Sequence, residues 1–130
     1  MSRISRSLLG RWLPVLLWAA LIFTLSSIPD LSSGLGTWDL VLRKLAHSLE
    51  YALLAALLLR ALTRPWLAFL LTVAYAASDE FHQHFVRGRV GTPRDVAIDA
   101  AGALIGLVAY SCGRRRFVGS TPPRPTTPGE

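Results

Sequence analysis

The chain of 130 residues has one cysteine, Cys112, and one lysine, Lys44. A single thiol excludes an internal disulfide framework and a zinc cluster built on cysteines. The three histidines, His47, His82 and His84, show no HExxH-type spacing. As i, i+2 neighbours, His82 and His84 point to different faces of a helix and make poor joint metal ligands. Neither metal nor cofactor is expected. There is no GxSxG nucleophile motif. No period of 20 to 50 residues recurs, which excludes a repeat protein. With 52% hydrophobic residues, intrinsic disorder of the whole chain is excluded too.

Acidic residues are also scarce, eight against fourteen bases, for a formal net charge of +6. The isoelectric point near 10.7 first raises nucleic acid as a partner. No helix-turn-helix, zinc finger or stacking platform supports that reading, and no nucleic-acid partner is expected. A mean hydropathy of +0.40 points to lipid instead. The basic excess is almost all arginine, so its meaning depends on where those arginines sit.

Four apolar stretches follow one another. The first, Trp12 to Ile28, carries no charge and covers roughly 25 Å as a helix, enough to span with its flanks. Pro14 falls in its first turn, where proline is tolerated. A basic start (Arg3, Arg6, Arg11) also fits a signal peptide, but no small-x-small cleavage site follows at LSSIPDLSS. The second stretch runs Leu45 to Leu62, the third from Pro65, and the fourth Val96 to Ser111. The expectation is an all-α, polytopic membrane protein of four transmembrane helices. Its membrane domain covers residues 1–116, and a disordered Pro/Thr-rich tail covers residues 117–130.

Four spans divide the charges. Arg3, Arg6, Arg11, Arg60, Arg64, Arg114, Arg115, Arg116 and Arg124, with Glu130, share one side. Arg43, Lys44, Arg87, Arg89 and Arg94 face the other side, with Asp30, Asp39, Asp79, Glu80 and Asp95. Nine bases against five place both termini in the cytoplasm by the positive-inside rule. That implies a multi-pass protein of the cytoplasmic (inner) membrane.

Glu50 and Asp99 remain inside spans. A charge at the bilayer centre costs about 2.5–3.5 kcal/mol on insertion scales, so such groups are kept where something offsets the cost. The third span needs to reach about Phe85 to cross, which places Asp79, Glu80 and Gln83 in the outer third of the membrane. His47 and Glu50 fall roughly 5 and 9 Å below the same surface, and Asp99 roughly 6 Å below it. Lys44, His47, Glu50 and Tyr51 share an arc of about 120°. Asp79, Glu80 and Gln83 share about 100°, and Asp95, Asp99, Gly102 and Gly106 about 60°. Gly102-x-x-x-Gly106 is the spacing that lets membrane helices approach closely, within the chain or between copies. Above the carboxylates, the loop VRGRVGTPRD carries Arg87, Arg89 and Arg94. Those arginines suit either pairing with the acids or receiving a ligand phosphate or carboxylate.

In this order the residues resemble the VanZ-like family of small bacterial membrane proteins. The resemblance begins at FTLSSIPDLSS. It continues through Arg43, Lys44, His47, Glu50, Tyr51 and Leu54, and closes with Asp79, Glu80, Gln83, Phe85, Arg89, Asp95, Asp99, Gly102 and Gly106. It covers about residues 12–112. Asp99 stands where many members carry Asn, and Arg87 where a Pro-Gly turn is frequent. The resemblance implies a cell-envelope role, and the family's namesake is associated with teicoplanin resistance.

Three functions remain open. In a binding protein, Lys44, Tyr51, Gln83, Arg89, Arg94, Asp95 and Asp99 would hold a lipid-linked or envelope ligand, with membrane lipids as partners. In an intramembrane enzyme acting on a lipid head group, His47 oriented by Glu50 is the general base and Asp79 or Glu80 the acid, with Arg89 stabilising charge. A proton-coupled carrier suits buried His, Glu and Asp, but the inner half of the spans is apolar. Beside all three stands a purely structural ion network.

Overall fold

The computed structural model describes residues 3–29, 36–89 and 91–119. Regular structure among them is helical: α1 (Arg3–Ser26), α2 (Thr37–Leu62), α3 (Pro65–Gln83) and α4 (Pro93–Gly119). This is the all-α, four-helix architecture expected. Asp30 and Ser33 of the first loop, and the tail from residue 120 onward, lie outside the described residues. Helix α4 continues through Arg114–Arg116 to Gly119, a little beyond the expected end of the domain. Arg116 in the last turn favours this, because it complements the negative end of the helix dipole.

Segments Leu8–Ser26, Thr37–Leu62 and Pro93–Phe117 are long and apolar enough to cross a membrane. At 19 residues, α3 is about 28 Å long, but its last turn lowers its apolar character. The polar groups of that turn do not face lipid: Asp79, Glu80 and Gln83 are buried inside the protein, and Phe81 is the side chain exposed.

Local chemistry sets the boundaries. Thr63 ends α2 in the left-handed region (φ 58°) and donates its N–H to the Leu59 carbonyl at 2.8 Å. Pro65 then starts α3 at the position where its missing N–H costs nothing. Thr92 caps α4: its hydroxyl accepts the Asp95 N–H at 3.3 Å and donates to Asp95 Oδ2 at 2.7 Å.

The packing centres on α2, α3 and α4, with α1 laid against α2 and more lightly against α3. Helices α2 and α4 run in the same direction, and α1 and α3 run against them. Small residues bring α2 and α4 together. A Cβ on Gly102 would strike the Ser48 carbonyl, and one on Gly106 the Ala52 backbone. The expected glycine seam is therefore an internal contact.

Helix α1 buries a narrow stripe, Val15, Ile22 and Ser26, and exposes Leu13, Leu16, Leu17, Leu21 and Phe23. Apolar burial does not drive helices together in lipid, and polar ties hold α1 in place. Trp18 Nε1 donates to the Glu50 carbonyl at 2.9 Å, and the Tyr75 hydroxyl to the Ala19 carbonyl at 2.6 Å. At the far end, Arg60 donates to the Gly10 carbonyl at 2.9 Å.

Candidate functional site

The end of α1, the starts of α2 and α4, and the last turn of α3 converge at one end of the bundle. Most of the polar residues singled out in the sequence gather there. Asp79 is buried, with its carboxylate oxygen Oδ2 accepting three donors. Ser26 Oγ lies at 2.7 Å, the Tyr51 hydroxyl at 3.1 Å and Gln83 Nε2 at 3.1 Å. These partners come from α1, α2 and α3, so one carboxylate fastens three helices. Its other oxygen, Oδ1, is buried with no hydrogen-bond partner among the described residues.

His47 stands beside this cluster. Its Nδ1 lies 3.4 Å from Asp99 Oδ2, and its Nε2 lies 3.3 Å from Gln83 Nε2. One tautomer satisfies both contacts: Nδ1–H donates to Asp99, and Nε2 accepts the second amide hydrogen of Gln83. Asp79 Oδ2 is 3.9 Å from Nε2. The ring is thus oriented by Asp99 from α4, rather than by Glu50 one turn along its own helix. Glu50 is half-buried, and its Oε2 has no partner among the described residues.

Glu80 points another way. Its Oε1 accepts the Thr92 N–H at 3.0 Å, so it docks the start of α4 onto α3. Gly91 packs tightly against the same turn, where a Cβ would meet the Glu80 carbonyl. Lys44 pairs with Asp95, joining α2 to α4. Arg43 pairs with Asp39 at 2.5 Å along α2.

Arg89 differs most from a simple reading of charge. Its Nε and Nη2 donate to the carbonyls of Ile28 and Leu25, both at 3.0 Å. Leu25 lies in the last turn of α1 and Ile28 just beyond it, where backbone carbonyls have acceptor capacity to spare. The loop between α3 and α4 is therefore strapped to α1 through backbone, with no carboxylate involved in the strap. Arg94 is exposed and lies outside the cavity.

A cavity of about 230 Å³ opens above this network. Lys44, His47, Gln83, Arg89, Asp95 and Asp99, all candidate site residues, line it. Glu80 also reaches its wall, while Leu40 and Ile98 supply an apolar side. Tyr51 and Asp79 lie beneath it and hold the lining residues from below. The two faces of the α2–α4 seam thus meet in a pocket that is part charged and part apolar.

Several contributors escaped the sequence reading. Ser26 ends an apolar stretch, where a hydroxyl carries no distinctive pattern. Thr92 had a usable signal, since Thr-Pro-x-Asp is a helix-start signature. His82 stacks on Phe23 with ring centroids 4.6 Å apart, and its Nε2 lies 3.1 Å from Ser27 Oγ. It therefore joins α3 to α1, while His84 turns its Nδ1 to the Glu80 carbonyl at 3.2 Å.

Comparison with known proteins gives one match: a family model described as VanZ/LLP1 covers residues 10–114. That range includes every residue of the site. No curated protein and no solved structure matches the chain.

Proposed function

The chain belongs to the VanZ/LLP1 family, and from that premise we propose that it binds an amphiphilic envelope ligand. The ligand is a lipid-linked precursor or carrier with an anionic head group, bound at the outer face of the bacterial inner membrane. The observation that carries this reading is the lining of the cavity, with Lys44, Arg43 and Arg89 beside Leu40 and Ile98. Such a wall suits a molecule with a charged head and an apolar body. Lys44 is the group best placed to receive the head group, because its side chain is still partly exposed and its pairing with Asp95 is exchangeable. A phosphate arriving there competes with Asp95 for one ammonium group.

An enzymatic reading rests on the His47–Asp99 pair at the cavity wall. Against it, both ring nitrogens of His47 are engaged, Nδ1 by Asp99 and Nε2 by Gln83. A general base needs a free lone pair facing its substrate. Binding asks for no such rearrangement and is the better-supported function.

The test is binding of a short-chain polyprenyl phosphate to the full chain in lipid nanodiscs. Lys44→Gln is expected to weaken binding about tenfold, the usual scale for one charge-assisted contact. Binding unaffected by Lys44→Gln and Arg43→Gln together overturns the assignment. Release of inorganic phosphate by the wild type, lost in His47→Ala, turns the conclusion to the enzyme. The link to teicoplanin-type glycopeptides is tested separately, by measuring susceptibility in cells with and without the gene.

A further inference from the structure

The opposite end of the bundle carries a second cavity, of about 530 Å³. It lies between the α2–α3 turn and the last turns of α4. Arg114 and Arg115 line it together with Thr63, Tyr110, Ser111 and Leu59.

Charge at this end is of one sign. Among the described side chains, Arg11, Arg60, Arg64, Arg114, Arg115 and Arg116 lie here. Every described carboxylate, from Asp39 through Asp99, lies in the half that holds the first site. Arg60 is engaged by the Gly10 carbonyl. Arg114 and Arg115 make no ion pair or hydrogen bond with any described residue, and they flank a concave space. Exposed arginines that line a cavity without a counter-charge fit an anion, with forks that match phosphate oxygens. The first turn of α3 borders the same space and has no side-chain cap. Its positive dipole end adds to the attraction. Thr63 and Ser111 already spend their hydroxyl hydrogens on the carbonyls of Leu62 and Leu107, each at 2.7 Å. The arginines and the Tyr110 hydroxyl are left as the donors available to a guest.

The surroundings specify what bears the anion. Leu59 forms an apolar wall, and Trp66 and Phe117 stand exposed nearby. Exposed aromatics at the ends of apolar helices mark the level of lipid head groups. We propose that this cavity is a binding site for the phosphodiester head group of an anionic phospholipid in the adjoining leaflet. It is separate from the envelope-ligand site and stands whether or not that reading holds.

Native mass spectrometry of the full chain from detergent micelles tests the proposal, with phosphatidylglycerol and phosphatidylcholine offered in equal amounts. The wild type is expected to retain the anionic lipid with about a thirtyfold preference, about 2 kcal/mol from its two arginines. Arg114→Gln/Arg115→Gln should abolish the preference. Arg11→Gln/Arg116→Gln removes the same charge outside the cavity and should leave the preference in place. If the glutamine pair does not accumulate, Arg114→Lys/Arg115→Lys keeps the charge and loses the forked geometry, and its preference should fall. Equal retention by wild type and both cavity variants overturns the site, as does equal loss from the control pair. Displacement of the lipid by millimolar inorganic phosphate identifies a soluble anion as the guest and overturns the lipid assignment.

Discussion

Gly106 of α4 rests directly on the backbone of Ala52 in α2, where a methyl group would collide with the Ala52 carbonyl. One turn earlier, Gly102 meets Ser48 in the same way. These contacts fix the register of two helices that run in the same direction. The register places Asp99 against His47 and Asp95 against Lys44. The glycine seam therefore decides which charges meet in the site.

Filling the seam should loosen the fold. Gly102→Ala and Gly106→Ala each force backbone apart, and overpacking of this kind costs about 1–3 kcal/mol. Gly113, with nothing within 4 Å of a built Cβ, is the control. Gly113→Ala should be neutral or stabilising by up to about 1 kcal/mol through helix propensity. Unfolding midpoints in mild detergent measure all three. Equal midpoints for the seam variants and the control contradict the close approach.

Asp79 is expected to be structural before it is anything else. Asp79→Ala strands the Ser26 hydroxyl, the Tyr51 hydroxyl and a Gln83 amide hydrogen. Each orphaned buried group costs about 1–3 kcal/mol, so the variant should fail to accumulate as folded protein. Asp79→Asn keeps an acceptor oxygen and should accumulate. Monodisperse yield after purification separates the two cases, and full recovery of Asp79→Ala shows that the network is dispensable.

The location of the site was legible in the sequence because span length fixes depth. A span starting near Lys44, another ending near Phe85 and a third starting near Asp95 bring their polar groups to one level. Gly102 and Gly106 also announced a close helix contact. The partners were less legible. Asp79 and Glu80 are neighbours about 100° apart on a helix, so one faces α1 and α2 while the other docks the start of α4 through the Thr92 N–H. Counting charges offers Arg89 either the neighbouring acids or a ligand anion, and backbone carbonyls at a helix end do not enter such a count. His47 pairs with Glu50 in the sequence because the two share a helix. Its actual partner, Asp99, depends on the rotation of α4 against α2, which the local pattern does not contain.

Arg89 should matter to the order of its loop. Arg89→Lys supplies one compact ammonium in place of a fork that reaches two carbonyls. Hydrogen exchange is expected to quicken at residues 25–28 and 84–89 and to stay unchanged at the α2–α4 seam. Arg94→Ala, at an exposed position, should alter neither region. Unchanged exchange in Arg89→Lys means that the loop is held by other contacts, with the docking of Thr92 on Glu80 the first to examine.

Orientation in the membrane has a direct test, because nature supplies the probe. Cys112 is the sole cysteine. It is exposed on α4, beside the arginines of the second cavity. Arginine-rich flanks are retained in the cytoplasm, so a membrane-impermeant maleimide should spare Cys112 in intact cells and label it after permeabilisation. A second chain, Cys112→Ser with Arg87→Cys, carries the thiol in the exposed α3–α4 loop and should show the reverse pattern. Gly91 is unsuited to this role, since a side chain there would strike the Glu80 carbonyl. Labelling of Cys112 from outside, with protection of the residue 87 thiol, inverts the protein. The His47–Asp99 site would then face the cytoplasm and the arginine cavity the outer leaflet, and an envelope ligand captured from outside would no longer fit.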